Sequence, residues 1–174
     1  LDISEGISGA LSGMLLADNG ARVLRISGGR KVNDPYPEFA ILDRGKEFLD
    51  VSHDDLKEVS QILSSADVVI HDEYSLGTMK RKMRCVGLPT GTSRLVDCHI
   101  SGYGRKGPYA SHPIDVELVK ARIGLFHDTP GFREGPAYLI HPVVEVGTGI
   151  FAALGVVSCL VSRLPDGVGL SIDT

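Results

Sequence analysis

The sequence has no excess of positive charge: 18 lysines and arginines stand against 22 aspartates and glutamates, a formal net charge of -4. A nucleic-acid partner needs a basic face. The one dense basic run, Lys80-Arg81-Lys82 with Arg84, is too short to outweigh the acidic balance, so no nucleic acid is expected. Cysteine is scarce. Cys85, Cys98 and Cys159 are odd in number, far apart and form no Cys-x-x-Cys pair, which fits reduced thiols rather than a disulfide framework or a zinc site. The six histidines have no partner at a metal-ligand spacing such as His-x3-His, so no metal site is expected. Residues 150–161, interrupted by Gly155 and Ser158, are the longest apolar run. They fall short of the roughly 20 residues of a bilayer span and read as a buried helix, with no membrane partner. The chain opens at Leu1-Asp2 with no basic, apolar and small-residue leader, so the expectation is a cytoplasmic protein, or a fragment of one. There is no internal repeat, low-complexity tract or linker to divide it.

What remains is ordinary globular chemistry. Of 174 residues, 43% are apolar and 23% charged, enough for one domain with a core. From Ile7, the positions Ala10, Leu11, Met14, Leu15 and Ala17 recur at helical spacing up to Asn19-Gly20, a glycine stop. Residues 21–26 alternate like a strand, and Gly28-Gly29 with Pro35-Tyr36-Pro37 read as a loop. Leu49-Asp50-Val51 is a brief strand candidate. Ser52 or Asp54 can cap a helix that carries Leu56, Val59, Ile62 and Leu63 on one face. Residues 66–70 form a β-branched run suited to a parallel sheet covered on both faces. Residues 94–101 give another strand. Helical spacing returns at Leu118, Ala121 and Leu125, a long apolar helix is expected over about residues 149–163, and residues 168–173 alternate as a last strand. Strands separated by helices predict an α/β fold, a mainly parallel sheet with helices on both faces.

Four stretches are candidates for chemistry. Gly102-Tyr103-Gly104-Arg105-Lys106-Gly107 satisfies the G-x-G-x-x-G dinucleotide fingerprint and follows a predicted strand. However, Pro108 and Pro113 stand where the phosphate-binding helix should open. The same loop, with Arg105 and Lys106, could receive a phosphate, cover a site or be a solvated turn. The basic run at residues 80–84 could likewise meet phosphates or form a solvated helix face. Glu145, in Pro142-Val143-Val144-Glu145-Val146-Gly147-Thr148-Gly149, precedes the long predicted helix, whose dipole favours a charged carboxylate. It reads either as a nucleophile or base with glycines that let a ligand approach, or as an acid serving the dipole. Asp115 begins another helix, where capping is the default role and catalysis the lesser one.

Six segments in register resemble family III CoA-transferases, the group that holds formyl-CoA transferase, carnitine CoA-transferase, bile-acid CoA-transferases and α-methylacyl-CoA racemase. Leu1-Asp2-Ile3-Ser4 with Leu16-Ala17-Asp18-Asn19-Gly20-Ala21-Arg22-Val23 resembles "DLS…LLADxGAxV". Leu42-Asp43-Arg44-Gly45-Lys46 is similar to "LNRGK", and Ala66-Asp67-Val68-Val69-Ile70 to "ADVLV". Ser101-Gly102-Tyr103-Gly104 with Gly107-Pro108-Tyr109 is similar to "SGYGxxGPY". Residues 149–155 resemble "GLYAALG", and Gly167-Val168-Gly169 with Ile172-Asp173 resembles "GRGQxVDxS". The resemblance implies a modified Rossmann-like large domain over residues 1–174, without the small domain and the C-terminal return. It also implies a dimer of interlocked subunits, or pairing with the protein's own second half. Coenzyme A or acyl-CoA would enter as substrate, with no covalently bound cofactor, and a small carboxylic acid would be the other partner.

In that family an aspartate carboxylate attacks the thioester and becomes a thioester of CoA. Counted back from Gly149, its position is held by Glu145, one methylene longer, with Asp115 the second catalytic candidate. The resemblance places Ile7, Ser8, Leu49 and Arg81 on the CoA surface, Gly102, Tyr103 and Gly104 in a loop over the thioester, and Gly147 and Gly149 where backbone must come close. The chain departs from the family elsewhere. "ENFRPG" is replaced by His71-Asp72-Glu73-Tyr74-Ser75-Leu76-Gly77, the acid after "VIKV" by Ser27, and the racemase histidine before the aspartate by Ile114. The reading is a CoA-transferase-like domain. The alternatives are a non-catalytic structural half, for which Glu145 should be buried among apolar neighbours, and, more distantly, a racemase or a nicotinamide-binding domain.

Overall fold

The computed structural model describes residues 1–26, 37–49, 56–72, 94–128, 131, 134–163 and 167–174, without the side chains of 37–39, 56–60 and 128. The elements run α1 (Ile7–Asp18), β1 (Leu24–Ile26), α2 (Pro37–Leu42), β2 (Glu47–Leu49), α3 (Leu56–Ser65), β3 (Val68–Asp72) and β4 (Val96–Ile100). They continue with α4 (Val116–Arg122), α5 (Leu125–Asp128), α6 (Val143–Ser162) and β5 (Ser171–Asp173). Ser27, the predicted caps Ser52 and Asp54, the basic run and Cys85 lie outside the described residues.

Among the described residues all strand pairs are parallel, β1 with β2, β3 with β4 and β4 with β5. Asp2 joins the two groups by bridging Arg25 on one side and Ile70 on the other, so the spatial order is β2, β1, the opening segment, β3, β4, β5. The Asp2 N–H donates to the Leu24 carbonyl at 2.8 Å and the Ile3 N–H to that of Ile70 at 3.0 Å. Alternation along the strands then sends side chains to two covered faces. Ile70, Cys98 and Ile100 pack on Ala152 and Val156 of α6, joined by Leu16 of α1. Ile3, Ile26 and Val69 pack on Leu63 of α3 and on Leu95. Helices therefore cover both faces, as predicted.

The opening segment also carries the most heavily buried charges. Asp2 is wholly buried. It accepts from Arg25 at 2.7 Å, Lys46 at 2.8 Å and the Ser4 hydroxyl at 2.6 Å. Asp43 braces both cations at 3.2 Å. Asp72, at the end of β3, accepts the N–H groups of Glu5 and Gly6 at 2.9 and 2.7 Å and so satisfies donors where α1 begins.

Two expectations are corrected. Residues around Pro37 form a short helix, because proline suits the first helical position, where its missing N–H costs nothing. The apolar helix begins at Val143, six residues before the predicted start, and only one side is buried. Gly149, Ala152, Ala153 and Val156 face inward, whereas Phe151 is 68% and Leu154 58% exposed. Its 20 residues and hydropathy would suit a membrane span, but the Ala152 and Val156 face is packed against the sheet.

Candidate functional site

Two helix starts build the site. The Asp115 carboxylate accepts the N–H groups of Glu117 and Leu118 at 2.9 and 3.2 Å, which caps α4 and fixes its first turn. Three residues along the helix from Glu117, Lys120 lies one turn on and on the same side. Helix α6 starts after Pro142, and Glu145 falls in its first turn, inside the helix rather than ahead of it. Its side chain lies at the positive end of the helix.

These helices meet at Lys120. Its side chain is only 3% exposed, with the ammonium 3.1 Å from Glu117 Oε1 and 3.4 Å from Glu145 Oε1. Burial pulls the Lys120 pKa down, but the Glu117 hydrogen bond and the Glu145 charge outweigh it, and the net shift is upward. The lysine therefore stays cationic at neutral pH. Two carboxylates share this one ammonium. The second oxygens of both, Glu117 Oε2 and Glu145 Oε2, are buried with no hydrogen-bond partner. Glu145 is thus neither in an open cleft nor buried among apolar groups. It is largely enclosed, charge-paired, and holds one unsatisfied oxygen.

The glycine loop after β4 reaches the same helix. Gly102 lies against Ile114 and Val119. Gly104 takes a φ of +79°, a conformation that favours glycine, and its N–H donates to Ser101 Oγ at 2.9 Å. No helix opens at Gly107; the next begins at Val116, which removes the nicotinamide reading. Arg105 is engaged in structure, with its N–H on Asp173 Oδ2 at 2.7 Å and its guanidinium on Asp97 at 2.9 Å. Between this loop and α4 lies a cavity of about 400 Å³, lined by Tyr103, Lys106, Tyr109, Val119 and Arg122 among others, with no acidic side chain. The Arg122 guanidinium stacks 3.7 Å from the Tyr109 ring centroid, which holds it flat. The loop follows the carboxyl end of a parallel strand, the edge where open α/β sheets take ligands.

The remaining predicted residues scatter. Ile7 and Ser8 lie in the first turn of α1. A Cβ at Gly149 would stand 2.7 Å from the Ser8 carbonyl oxygen, so the close approach at Gly149 is made by α1. A Cβ at Gly147 would meet nothing within 4 Å. Leu49 packs on the core beside Ile26. Arg81 lies outside the described residues, as do 73–77. Of the departures just before them, His71 bonds Asp97 at 2.7 Å and Asp72 serves α1.

The model for CoA-transferase family III matches residues 1–174. The chain belongs to that family. An acyl-CoA transferase of Fusarium pseudograminearum is 27% identical over 197 residues, covering 99% of this chain and 43% of that protein. A succinate–glutarate CoA-transferase of Agrobacterium fabrum is also 27% identical, with 99% and 48% covered. A solved structure from Mycobacterium tuberculosis superposes with a TM-score of 0.82 at 25% identity, over 99% of this chain and 52% of that one. A CAIB/BAIF family protein from Brucella suis, at 21% identity and a TM-score of 0.81 over 98% and 50%, shares the fold. The chain spans about half the length of the curated relatives it matches.

Sequence reasoning missed Lys120 and Glu117. Their i, i+3 spacing on an amphipathic helix was a signal, but nothing in it pointed across 25 residues to Glu145.

Proposed function

We propose that this chain is the part of a family III CoA-transferase that carries the attacking carboxylate, and that it moves CoA between a thioester and a carboxylic acid through Glu145. The observation that carries the reading is the Glu145 carboxylate, at the family's aspartate position, held on one oxygen by Lys120 and unsatisfied on the other. An oxygen stripped of hydrogen bonds is a stronger nucleophile than a hydrated one. Glu145 attacks the thioester carbonyl and the CoA thiolate leaves, giving a mixed anhydride. The thiolate then attacks the glutamyl carbonyl, expels the first acid as its carboxylate and forms a glutamyl-CoA thioester. The acceptor carboxylate repeats the two steps in reverse, and Glu145 is restored with no net change in protons.

The cavity beside α4 supports a small acid as the second substrate, since Lys106 and Arg122 face no carboxylate within its lining. The names of relatives that transfer CoA among succinate, glutarate and mesaconate agree with such an acceptor. The half-length match and the exposed apolar side of α6 support pairing with a second subunit or with the rest of the protein. The enclosure of Glu145 and its pairing with Lys120 leave one competing reading, a structural half without chemistry.

Transfer from several acyl-CoA donors to a panel of small mono- and dicarboxylates, assayed for the full-length protein and its Glu145→Gln variant, separates the two. Loss of turnover in a folded variant is the expected result. Equal turnover in both overturns the assignment.

A further inference from the structure

We propose that Lys120 is a positioning residue, whose buried ammonium pins Oε1 of Glu145 and leaves Oε2 as the attacking oxygen. The inference rests on the transfer reading above and adds to it a residue that the family motifs do not supply.

The geometry is asymmetric. Lys120 reaches one oxygen of each carboxylate, Glu145 Oε1 at 3.4 Å and Glu117 Oε1 at 3.1 Å, and both second oxygens are buried without a donor. A glutamate has one more rotatable bond than the aspartate it replaces, and a swinging nucleophile misplaced by about 1 Å can lose about 100-fold in rate. Tethering one oxygen to a rigid, buried cation removes that freedom. Lys120 is itself fixed, because its other partner, Glu117, stands in the turn that Asp115 caps.

Around Glu145, α4 presents Lys120 and Glu117. Helix α1, packed along α6, brings Ser8 and Leu11 to Gly149 and holds no charged side chain before Asp18. The strands pack Ile70, Cys98 and Ile100 on α6 at Ala152 and Val156, beyond Gly149. Among the described residues, Lys120 is therefore the cation that holds the Glu145 carboxylate in place.

The test measures kcat and KM for transfer, and the rate of CoA trapping on Glu145 by peptide mass mapping, in full-length wild type, Lys120→Met, Lys120→Gln and Lys120→Arg, with folding checked by circular dichroism. Lys120→Met and Lys120→Gln should lose about 100-fold in kcat and in adduct formation, with KM for the acyl-CoA little changed. Lys120→Arg, which keeps a cation on Glu145 Oε1, should recover most of the loss. A kcat loss at constant KM, rescued by the conservative variant, is a signature that general damage to the fold does not produce, and if Lys120→Met fails to fold, the other two variants still decide. Adduct formed at the wild-type rate in folded Lys120→Met or Lys120→Gln overturns the role of Lys120 while the transfer reading stands. No adduct at Glu145 in wild type overturns both.

Discussion

Replacing Lys46 with methionine keeps the length of the side chain and removes its charge from the most enclosed cluster in the fold. The Lys46 side chain is 0% exposed. Its ammonium donates to Asp2 and to the Ala10 carbonyl, each at 2.8 Å, and lies 3.2 Å from Asp43. The substitution leaves a buried carboxylate with one cation fewer and takes an additional donor from a carbonyl within α1. Breaking a buried ion pair from one side costs about 3–5 kcal/mol. Arg25 still holds Asp2 at 2.7 Å, so the low end, about 3 kcal/mol, is expected. Burial raises the Asp2 pKa, but Arg25, Lys46 and Ser4 outweigh it and hold it below the ordinary value. A depressed carboxylate stabilises the fold above its unfolded pKa, near 3.9, and that contribution is lost as pH falls toward the folded value. In Lys46→Met the folded Asp2 pKa rises toward its unfolded value, so this acid-linked loss should shrink and the stability gap to wild type should narrow as pH falls. Urea unfolding at neutral pH and across the acid range reads both effects. A loss below about 1 kcal/mol at neutral pH, or a gap to wild type that does not narrow in acid, refutes the reasoning, as does an Asp2→Asn/Lys46→Met pair whose cost equals the sum of the two single changes.

Further outcomes follow from single sites. Gly149→Val places a branched side chain where a Cβ already meets the Ser8 carbonyl at 2.7 Å. It should cost about 1–3 kcal/mol in thermal or urea unfolding and lower transfer by moving the helix that carries Glu145. The Cys98 thiol, buried in the sheet, is pushed up to about 12 mainly by burial and then by Asp97. Alkylation at mildly alkaline pH followed by peptide mapping should therefore label the half-buried Cys159 and spare Cys98 in the folded chain. His99 is held below the ordinary histidine range, first by burial and then by His71 and Arg105, against the opposing hydrogen bond to Asp173. NMR titration should find it below about 6.5, and its contribution to stability should fade as pH drops below that value.

The parallel core was legible because its strands are short β-branched or alternating runs, as at Val69, Ile70, Val96 and Ile100, separated by helical patterns. Helix α1 was legible from its period and its Gly20 stop. Helix α2 was not, since Pro35 and Pro37 punctuate like a loop while Pro37 is the first helical residue. The start of α6 was placed too late because Gly147 and Gly149 resemble loop glycines. In the fold Gly149 is instead the point where α1 crosses closely. Glu145 was legible as an acid at the start of the long helix, and its expected role came from the family motif, whereas Asp2, Arg25 and Lys46 merely lie in or beside matched segments. The charge network that joins them, and the Lys120 contact, depend on helix and strand packing that no local pattern encodes. Asp115 was legible as a cap, and the structure places its carboxylate on the N–H groups of Glu117 and Leu118.

The central claim, that Glu145 is the carboxylate CoA passes through, is tested most directly by incubating the full-length protein with an acyl-CoA, trapping with hydroxylamine and mapping the modified residue by mass spectrometry. The account predicts a hydroxamate on the peptide that carries Glu145, dependent on acyl-CoA and absent from Glu145→Gln. Turnover with Glu145 unmodified, or with the label on another carboxylate such as Asp115, would contradict it.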